Sequence, residues 1–482
     1  MLNLKIIKKW HLLILWPALI AVVIYALSAL THPLMAWTGP QAEKRFPPKL
    51  NVQGEINLNI QDIVKTNQLE HAKIAKFIPY KNETVLQITQ EERQERRYFS
   101  LSSHAEIPYH DSEQAIWLAN YYLGKTLAIK NIEFKTQFDQ AYPAVNRLLP
   151  VYKVNYDTQD NLSVFIHTET QALAGINNDW KRTLKFIFQN LHSFDWLNEY
   201  EKIRVLLIAT LVSIITIMAL TGLGFILLIK RKSKLTHNSR RWHRRLAYVV
   251  TLPLILFSIS GIYHLLYSSL ATQEYGTRLT QTLNLKEWSN LSLENNFQHL
   301  EINHISLVNI VGASNNNIAS YRVSGRNKQD HNINTREKRF KGMANESSSF
   351  YIDESNTVLT QYTDKNLIRL QSQALLGRQD LTLNLITHFG PDYDFRNKRL
   401  PVWEVSDTQG NLIFIDPVTH ILVDQSDMTA RLEGYSFNFL HKWNMFTPIT
   451  GRFYRDILII ITLIMTLVLS AFGFLMHRNK TR

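Results

Sequence analysis

Cysteine is absent from this chain of 482 residues. That excludes disulfides, Cys-ligated iron–sulfur clusters and thiol chemistry. A Walker loop, a Gly-x-Gly-x-x-Gly turn, a His-Glu-x-x-His helix and a defensible Ser-His-Asp arrangement are also missing, and no flavin or nicotinamide signature stands in their place. Acid is missing where base is dense. Lys5, Lys8 and Lys9 near the N-terminus, Lys230, Arg231, Lys232, Lys234, Arg240, Arg241, Arg244 and Arg245 in mid-chain, and Arg478, Lys480 and Arg482 at the end have no Asp or Glu among them. Outside these flanks bases and acids nearly cancel, so the net charge of +13 is a topology signal and no nucleic-acid partner is implied.

Charge is scarce again in four apolar runs, at about 12–31, 204–229, 246–267 and 456–476, each long enough to span a bilayer as a helix. The basic flanks put both termini and the loop between the second and third helices in the cytoplasm. The expected order is a membrane helix at 10–32, an external domain at 33–203, a helix at 204–229, a cytoplasmic basic loop at 230–242, a helix at 243–267, a second external domain at 268–455 and a helix at 456–476. In a Gram-negative cell this is a multi-pass inner-membrane protein with two periplasmic domains. The first run has a signal peptide's basic start, but about 20 apolar residues exceed a usual signal core and the run resembles the third helix, so it is read as retained.

The helices repeat. Trp10-His11 opens the first and Trp242-His243 the third, and His32 and His264 each follow 21 residues later. That interval rises about 32 Å, the depth of a bilayer core, and leaves the two side chains about 60° apart around the axis, so both can face one interior. IFQNLHSFDWL before the second helix matches SFNFLHKWNMF before the fourth, aligning His192 with His441, and Gly224 then falls opposite Gly473. Between the helices, LLPVYKVNYDTQDNLSVFIHTETQ matches RLPVWEVSDTQGNLIFIDPVTH. The expected fold is membrane α+β: a four-transmembrane-helix bundle from two parallel repeats, related by an axis along the membrane normal, with two external α+β domains.

In the first external segment KFIPYK, VLQITQ, RRYFSLS, KNIEFKTQF, PVYKVNYD and LSVFIHTE alternate as strands, and SEQAIWLANYYL has helical spacing, which suggests a helix packed on an antiparallel sheet. In the second, ISLVNIV, SYRVSG and SSFYIDESNTVLTQY repeat the strand pattern and polar 325–349 reads as a loop. The D-T-Q-D-N and D-T-Q-G-N stretches carry hairpin-turn residues.

PVWEVSDTQGNLIFIDPVTH and its weaker copy resemble the PepSY domain, with its hairpin and Asp-Pro-x-Thr ending, although His167-Thr168 stand in the first copy where Asp416-Pro417 stand in the second. Two such domains interleaved with four W-H-bearing helices resemble the PepSY-associated transmembrane family, in which inner-membrane ferrisiderophore reductases of the FoxB kind carry b-type haems on inward histidines. The resemblance implies electron transfer across the membrane to a ferric siderophore or similar ferric chelate, releasing Fe(II).

A membrane haem is commonly held by two neutral imidazoles from facing helices. His11 and His243 are repeat-related near the cytoplasmic face and make one candidate pair. His32, His192, His264 and His441 gather near the external face, where the pairing stays open; two b-type haems fit the set. One interfacial histidine beside a tryptophan is ordinary aromatic belt, but six placed twice over in one pattern call for a shared role, and ionisable groups at membrane depth are costly. Zinc or copper would suit four external histidines and leave the inner pair unexplained. Arg204 and Arg455 read as snorkelling anchors or as partners of a haem propionate. Gly222, Gly224, Gly261 and Gly473 suit close approach of a macrocycle or of another helix. No catalytic base or nucleophile is called for. The electron donor is expected to be quinol or a cytoplasmic reductase, lipid is a necessary partner, and a homodimer is left open. The competing reading is a membrane-anchored PepSY module that regulates peptidases or envelope assembly without redox activity.

Overall fold

A computed structural model describes residues 4–50, 56–81, 83–228, 238–270, 276–280, 282–293, 300–311, 317–327 and 348–481. The chain divides into two compact units, Met1–Gly39 with Asp179–Thr272 and Thr429–Arg482, and Pro40–Asn178 with Gln273–Met428. The first is helical and the second carries all the described strands.

The helical unit contains α1 (Leu4–Leu13), α2 (Leu15–Thr38), and, with the sheet unit's α3 (Ile60–Thr66) and α4 (His110–Leu123) intervening in the chain, α5 (Asp179–Leu191), α6 (Glu201–Leu228) and α7 (Asn238–Leu270). After the sheet unit's α8 (Asp364–Leu376) come α9 (Met428–Ser436) and α10 (Thr447–Thr481). Four of its helical stretches are long and apolar enough to cross a membrane. Helix α2 packs on α5, α6 and α10, and α7 packs on α6 and α10. Their buried faces carry small residues, among them Ala21, Ala26, Ser28, Ala219, Ser258 and Ser260, whereas Leu27, Leu206, Leu220, Leu252, Ile461 and Ile464 are exposed. This inverts the water-soluble pattern: small residues let helix backbones approach, and the large apolar side chains face outward, where lipid would solvate them.

The helix limits differ from those expected. The helix expected at 10–32 begins at Leu4, runs to Thr38 and breaks at Ile14, because Pro17 has no N–H for the Leu13 carbonyl and its ring crowds that oxygen. Helix α7 starts at Asn238, so 238–242 are helix and not loop; the remainder of the basic loop lies outside the described residues. Residues 33–38 and 179–203, expected in the first external domain, belong to the helical unit.

In the other unit, α4 covers a four-stranded antiparallel sheet in the order Ile129–Lys135, Val151–Tyr156, Ser163–His167, Ala172–Asn177. Helix α8 covers the matching sheet of Thr382–Ile386, Val402–Ser406, Leu412–Asp416 and Ile421–Ser426, extended at its edge by Thr277–Arg278. Both helices end on a left-handed glycine, Gly124 at φ 68° and Gly377 at φ 64°, a conformation that glycine adopts without a Cβ penalty. The D-T-Q-G-N hairpin turn is closed by Asp407, whose carboxylate accepts from the N–H of Gln409 and of Asn411, both at 2.9 Å.

The two external segments are not separate domains. A six-stranded antiparallel sheet runs Ser348–Asp353, Asn317–Asn327, Leu300–Val311, Ile74–Tyr80, Glu83–Thr89, Arg97–Ser100, so a strand of the second segment pairs with one of the first at Ile305–Phe77 and Ser306–Lys76. Because Ile74–Tyr80 is central in it, six of its seven residues are buried on both faces instead of alternating. Phe77, Leu86, Phe99, Trp288, Ile305 and Val323 form one core across the join, each apolar side chain contributing about 1.5–3 kcal/mol. The polar stretch expected as a loop at 325–349 is shorter: strands reach Asn327 and resume at Ser348, and the residues between lie outside those described.

Candidate cofactor site

The helical unit brings the histidines together in two sets. His11 and His243 lie close enough for a charge on one to act on the other, as do His192 with His441 and His32, and His441 with His264. The surroundings of His192 recur around His441. The ring of His192 stacks on Phe188 at 4.6 Å and meets Tyr25 edge-on at 5.2 Å; that of His441 stacks on Phe437 at 4.8 Å and meets Phe257 edge-on at 5.9 Å. Ser28 Oγ lies 3.1 Å from His192 Nδ1 and Ser260 Oγ lies 3.3 Å from His441 Nδ1. Phe188 also faces His32, at 6.1 Å, and Phe437 faces His264, at 3.9 Å. Tyr25 and Phe257, Ser28 and Ser260, and His32 and His264 are separated by the same interval as His11 and His243.

Each of these imidazoles sits on an unusually wide turn. Ser193 N–H bonds to the Phe188 carbonyl at 3.3 Å and Lys442 N–H to the Phe437 carbonyl at 3.0 Å, both spanning five residues. Such π-type turns swing a side chain out of helical phase and are frequent at functional sites. The chain then reverses through left-handed residues, Phe194 at φ 52° and Trp443 at φ 53°, whose rings cover Tyr25 and Phe257.

The hydrogen bonds fix the tautomers. His243 Nδ1 faces the Leu469 carbonyl at 3.1 Å and His441 Nδ1 faces the Phe257 carbonyl at 3.1 Å. A carbonyl only accepts, so Nδ1 carries the proton in both and Nε2 keeps its lone pair. His11 Nδ1 lies 2.8 Å from Thr221 Oγ1, whose own hydrogen goes to the Met218 carbonyl, so His11 donates as well. Ser28 gives its hydrogen to the Tyr25 carbonyl and therefore accepts from His192 Nδ1. His264 Nδ1 donates to Glu433 Oε1 at 2.5 Å. Five of the six histidines thus hold Nδ1–H against a protein acceptor and present Nε2 as a base, the arrangement of a metal-ligating imidazole with its outer partner. His32 is the exception: it is exposed, and among the described residues its ring touches Phe188 without a hydrogen bond.

Two glycines are explained at the same time. A Cβ on Gly473 would lie 3.2 Å from His243 Cε1, and one on Gly261 would lie 3.5 Å from His441 Cε1. Gly224 instead admits Ile7 of α1, at 3.0 Å. The snorkelling role expected of Arg455 is not what the fold gives it: the residue is 8 % exposed and its Nε donates to Asp456 Oδ1 at 2.9 Å, while Trp37 Nε1 donates to Asp456 Oδ2 at 3.1 Å. Arg204 donates to the Ser193 carbonyl at 3.4 Å. Sequence reasoning missed Ser28, Ser260, Thr221, Phe188, Phe437 and Glu433. The first two were within reach, since they fall in register when the histidines are aligned; Glu433 has Leu184 at the aligned position and left no such trace.

Among the described residues no three or more His, Cys, Asp or Glu side chains come together as a metal-binding group. The four histidines expected at the external face therefore do not form a zinc or copper cluster, whereas an axial haem pair needs only two imidazoles. Their donor set fits haem iron: neutral imidazoles with Nε2 available, in an apolar helical interior.

These features define a membrane protein of mixed helix and sheet with a histidine-rich helical core. The chain belongs to the PepSY-associated transmembrane family, whose model, described as the PepSY-associated TM region, matches residues 9–480. No curated protein and no solved structure matches the chain.

Proposed function

We propose that this protein is a di-haem oxidoreductase of the inner membrane that passes electrons outward to a ferric siderophore or similar ferric chelate. The observation that carries the reading is the set of five imidazoles with Nδ1–H engaged and Nε2 free, at His11, His192, His243, His264 and His441. Haem b bound there supplies one-electron transfer between its ferric and ferrous states, and the chelated iron(III) is the acceptor. His11 and His243 would hold the inner group; His192 and His441, with His32 and His264 beside them, the outer one. Thr221, Ser28, Ser260 and the carbonyls of Leu469 and Phe257 keep the rings oriented, and outward-facing leucine and isoleucine keep water from the core.

The helices are read as a four-helix bundle of two parallel repeats, supported by the duplicated contacts around His192 and His441. The basic flanks favour cytoplasmic termini and a periplasmic sheet unit. Quinol or a separate reductase is the donor that such a chain, lacking nucleotide motifs, would need.

A reduced-minus-oxidised absorption spectrum of the detergent-purified protein, with haem quantified per chain, tests this. About two haems are expected, with His243→Ala losing one and His441→Ala the other. A folded, haem-supplied and colourless preparation would overturn the redox reading and favour a membrane-anchored regulatory PepSY module.

A further inference from the structure

The sheet unit buries more positive charge than its neighbouring carboxylates neutralise. Lys76, 3 % exposed in the middle of strand Ile74–Tyr80, donates to the Glu169 carbonyl. An ammonium has three donors, and that carbonyl is its one hydrogen-bond acceptor among the described residues. Lys76 lines a cavity of about 80 Å³ together with His304, Arg399, Arg45, Lys398 and Asp416. On the same measure one water needs about 10–15 Å³, so the space suits a group of several heavy atoms. His304 reaches it from the irregularity in register between Ile302 and His304, where a β-bulge re-aims the side chain.

Four cations line this space against one carboxylate. Asp416 is already committed: it accepts from Arg399 at 2.7 Å, from Thr419 Oγ1 at 2.7 Å and from the Val418 N–H at 2.8 Å. The next carboxylate, Glu169, accepts from Arg278 at 2.9 Å and Thr89 at 3.0 Å, and Arg96 lies 3.5 Å away. Excess buried charge of one sign is costly unless a counter-ion meets it. Burial pulls Lys76 down to about 8, against the opposing pull of Glu169. Burial also brings His304 down to about 3, so it offers a neutral N–H and no charge.

We propose that this cavity binds a small oxyanion, a carboxylate or phosphate group, between Lys76, His304 and Arg399, with Arg45 and Lys398 adding to the field. The site stands apart from the haem reading and would exist whether or not the helices carry electrons.

Calorimetric titration of the detergent-purified full-length protein with sodium phosphate and with sodium citrate, against chloride at matched ionic strength, tests the proposal. Saturable binding of phosphate or citrate is expected, absent with chloride, and weakened at least tenfold in Lys76→Met. If Lys76→Met does not fold, the double variant Arg45→Gln with Lys398→Gln decides, with a several-fold loss expected. Binding of phosphate alone assigns the site to a phosphate, and binding of citrate alone to a carboxylate. No saturable heat with either anion, an equal response to chloride, or affinity unchanged in the variants would overturn the proposal.

Discussion

Ser28→Ala and Ser260→Ala remove aligned hydroxyls, yet their effects should differ. His192 Nδ1 has Ser28 Oγ, at 3.1 Å, as its one hydrogen-bond partner among the described residues. His441 Nδ1 has two acceptors, Ser260 Oγ at 3.3 Å and the Phe257 carbonyl at 3.1 Å. Leaving an interior N–H without an acceptor costs about 1–3 kcal/mol, and loss of the outer partner of a ligating histidine lowers affinity about 10–100-fold. Ser28→Ala should therefore loosen the outer haem by 10–100-fold. Ser260→Ala leaves a carbonyl in place and should cost under about 1 kcal/mol, less than about fivefold. Transfer of haem to excess apomyoglobin, followed by absorbance, measures both, and the melting temperature in detergent should fall further for Ser28→Ala. Equal losses, or a larger loss for Ser260→Ala, would refute the assignment of His192 and His441 as imidazoles oriented by these partners.

Gly473→Val places a branched side chain where a Cβ alone would be 3.2 Å from His243 Cε1, so haem stoichiometry should fall by one while the outer site keeps its spectrum. Glu433→Gln removes the negative charge that His264 Nδ1 faces at 2.5 Å; the imidazole becomes less basic, and the outer haem's midpoint potential should rise in a spectroelectrochemical titration. In the sheet unit, Arg322 donates to both oxygens of Asp364, at 2.8 and 2.6 Å, and Tyr351 to one of them at 2.6 Å, so Asp364→Ala should cost about 3–5 kcal/mol by stranding the arginine, read as a lower unfolding midpoint. Burial pushes the Asp364 carboxyl up, but the Arg322 charge and the hydrogen bonds outweigh it and the net direction is down. Its contribution is therefore complete above the unfolded value of about 3.9 and is lost as pH falls through the lower folded value, so melts in acid should show the wild type converging on Asp364→Ala.

How much of this was legible depended on whether the signal was periodic. The histidine intervals, the apolar runs and the alternating strands of the external segments could be read because helices and sheets impose fixed spacings. The pairing of Leu300–Val311 with Ile74–Tyr80 could not, since it joins residues far apart in the chain and no local pattern marks the partner of a strand buried on both faces. Lys76 illustrates the cost: as one polar residue in KFIPYK it reads as the solvent face of an amphipathic strand, and it is instead 3 % exposed because a second sheet segment covers it. Arg455 misleads in the same manner, looking like a terminal anchor until Asp456, next to it in sequence, is seen to hold its guanidinium inside.

The departure at His167 ties the two copies to the charge imbalance. His167 occupies the turn position that Asp416 holds in the other copy: its Nδ1 lies 2.7 Å from Thr170 Oγ1, as Asp416 accepts from Thr419. But Asp416 brings a negative charge to Arg399, whereas burial and then the Arg96 charge hold His167 well below the ordinary imidazole range, leaving it neutral. One copy therefore has a cap without a charge, and Lys76, Arg96 and Arg278 share Glu169 alone. His167→Asp would supply the missing carboxylate 3.4 Å from where Arg96 now meets the imidazole. The expected result is a higher melting temperature in anion-free buffer and a weaker response to phosphate and citrate, because an internal counter-charge would replace part of what the bound anion provides. A lower melting temperature with unchanged anion response would mean that the cluster is already balanced without an anion.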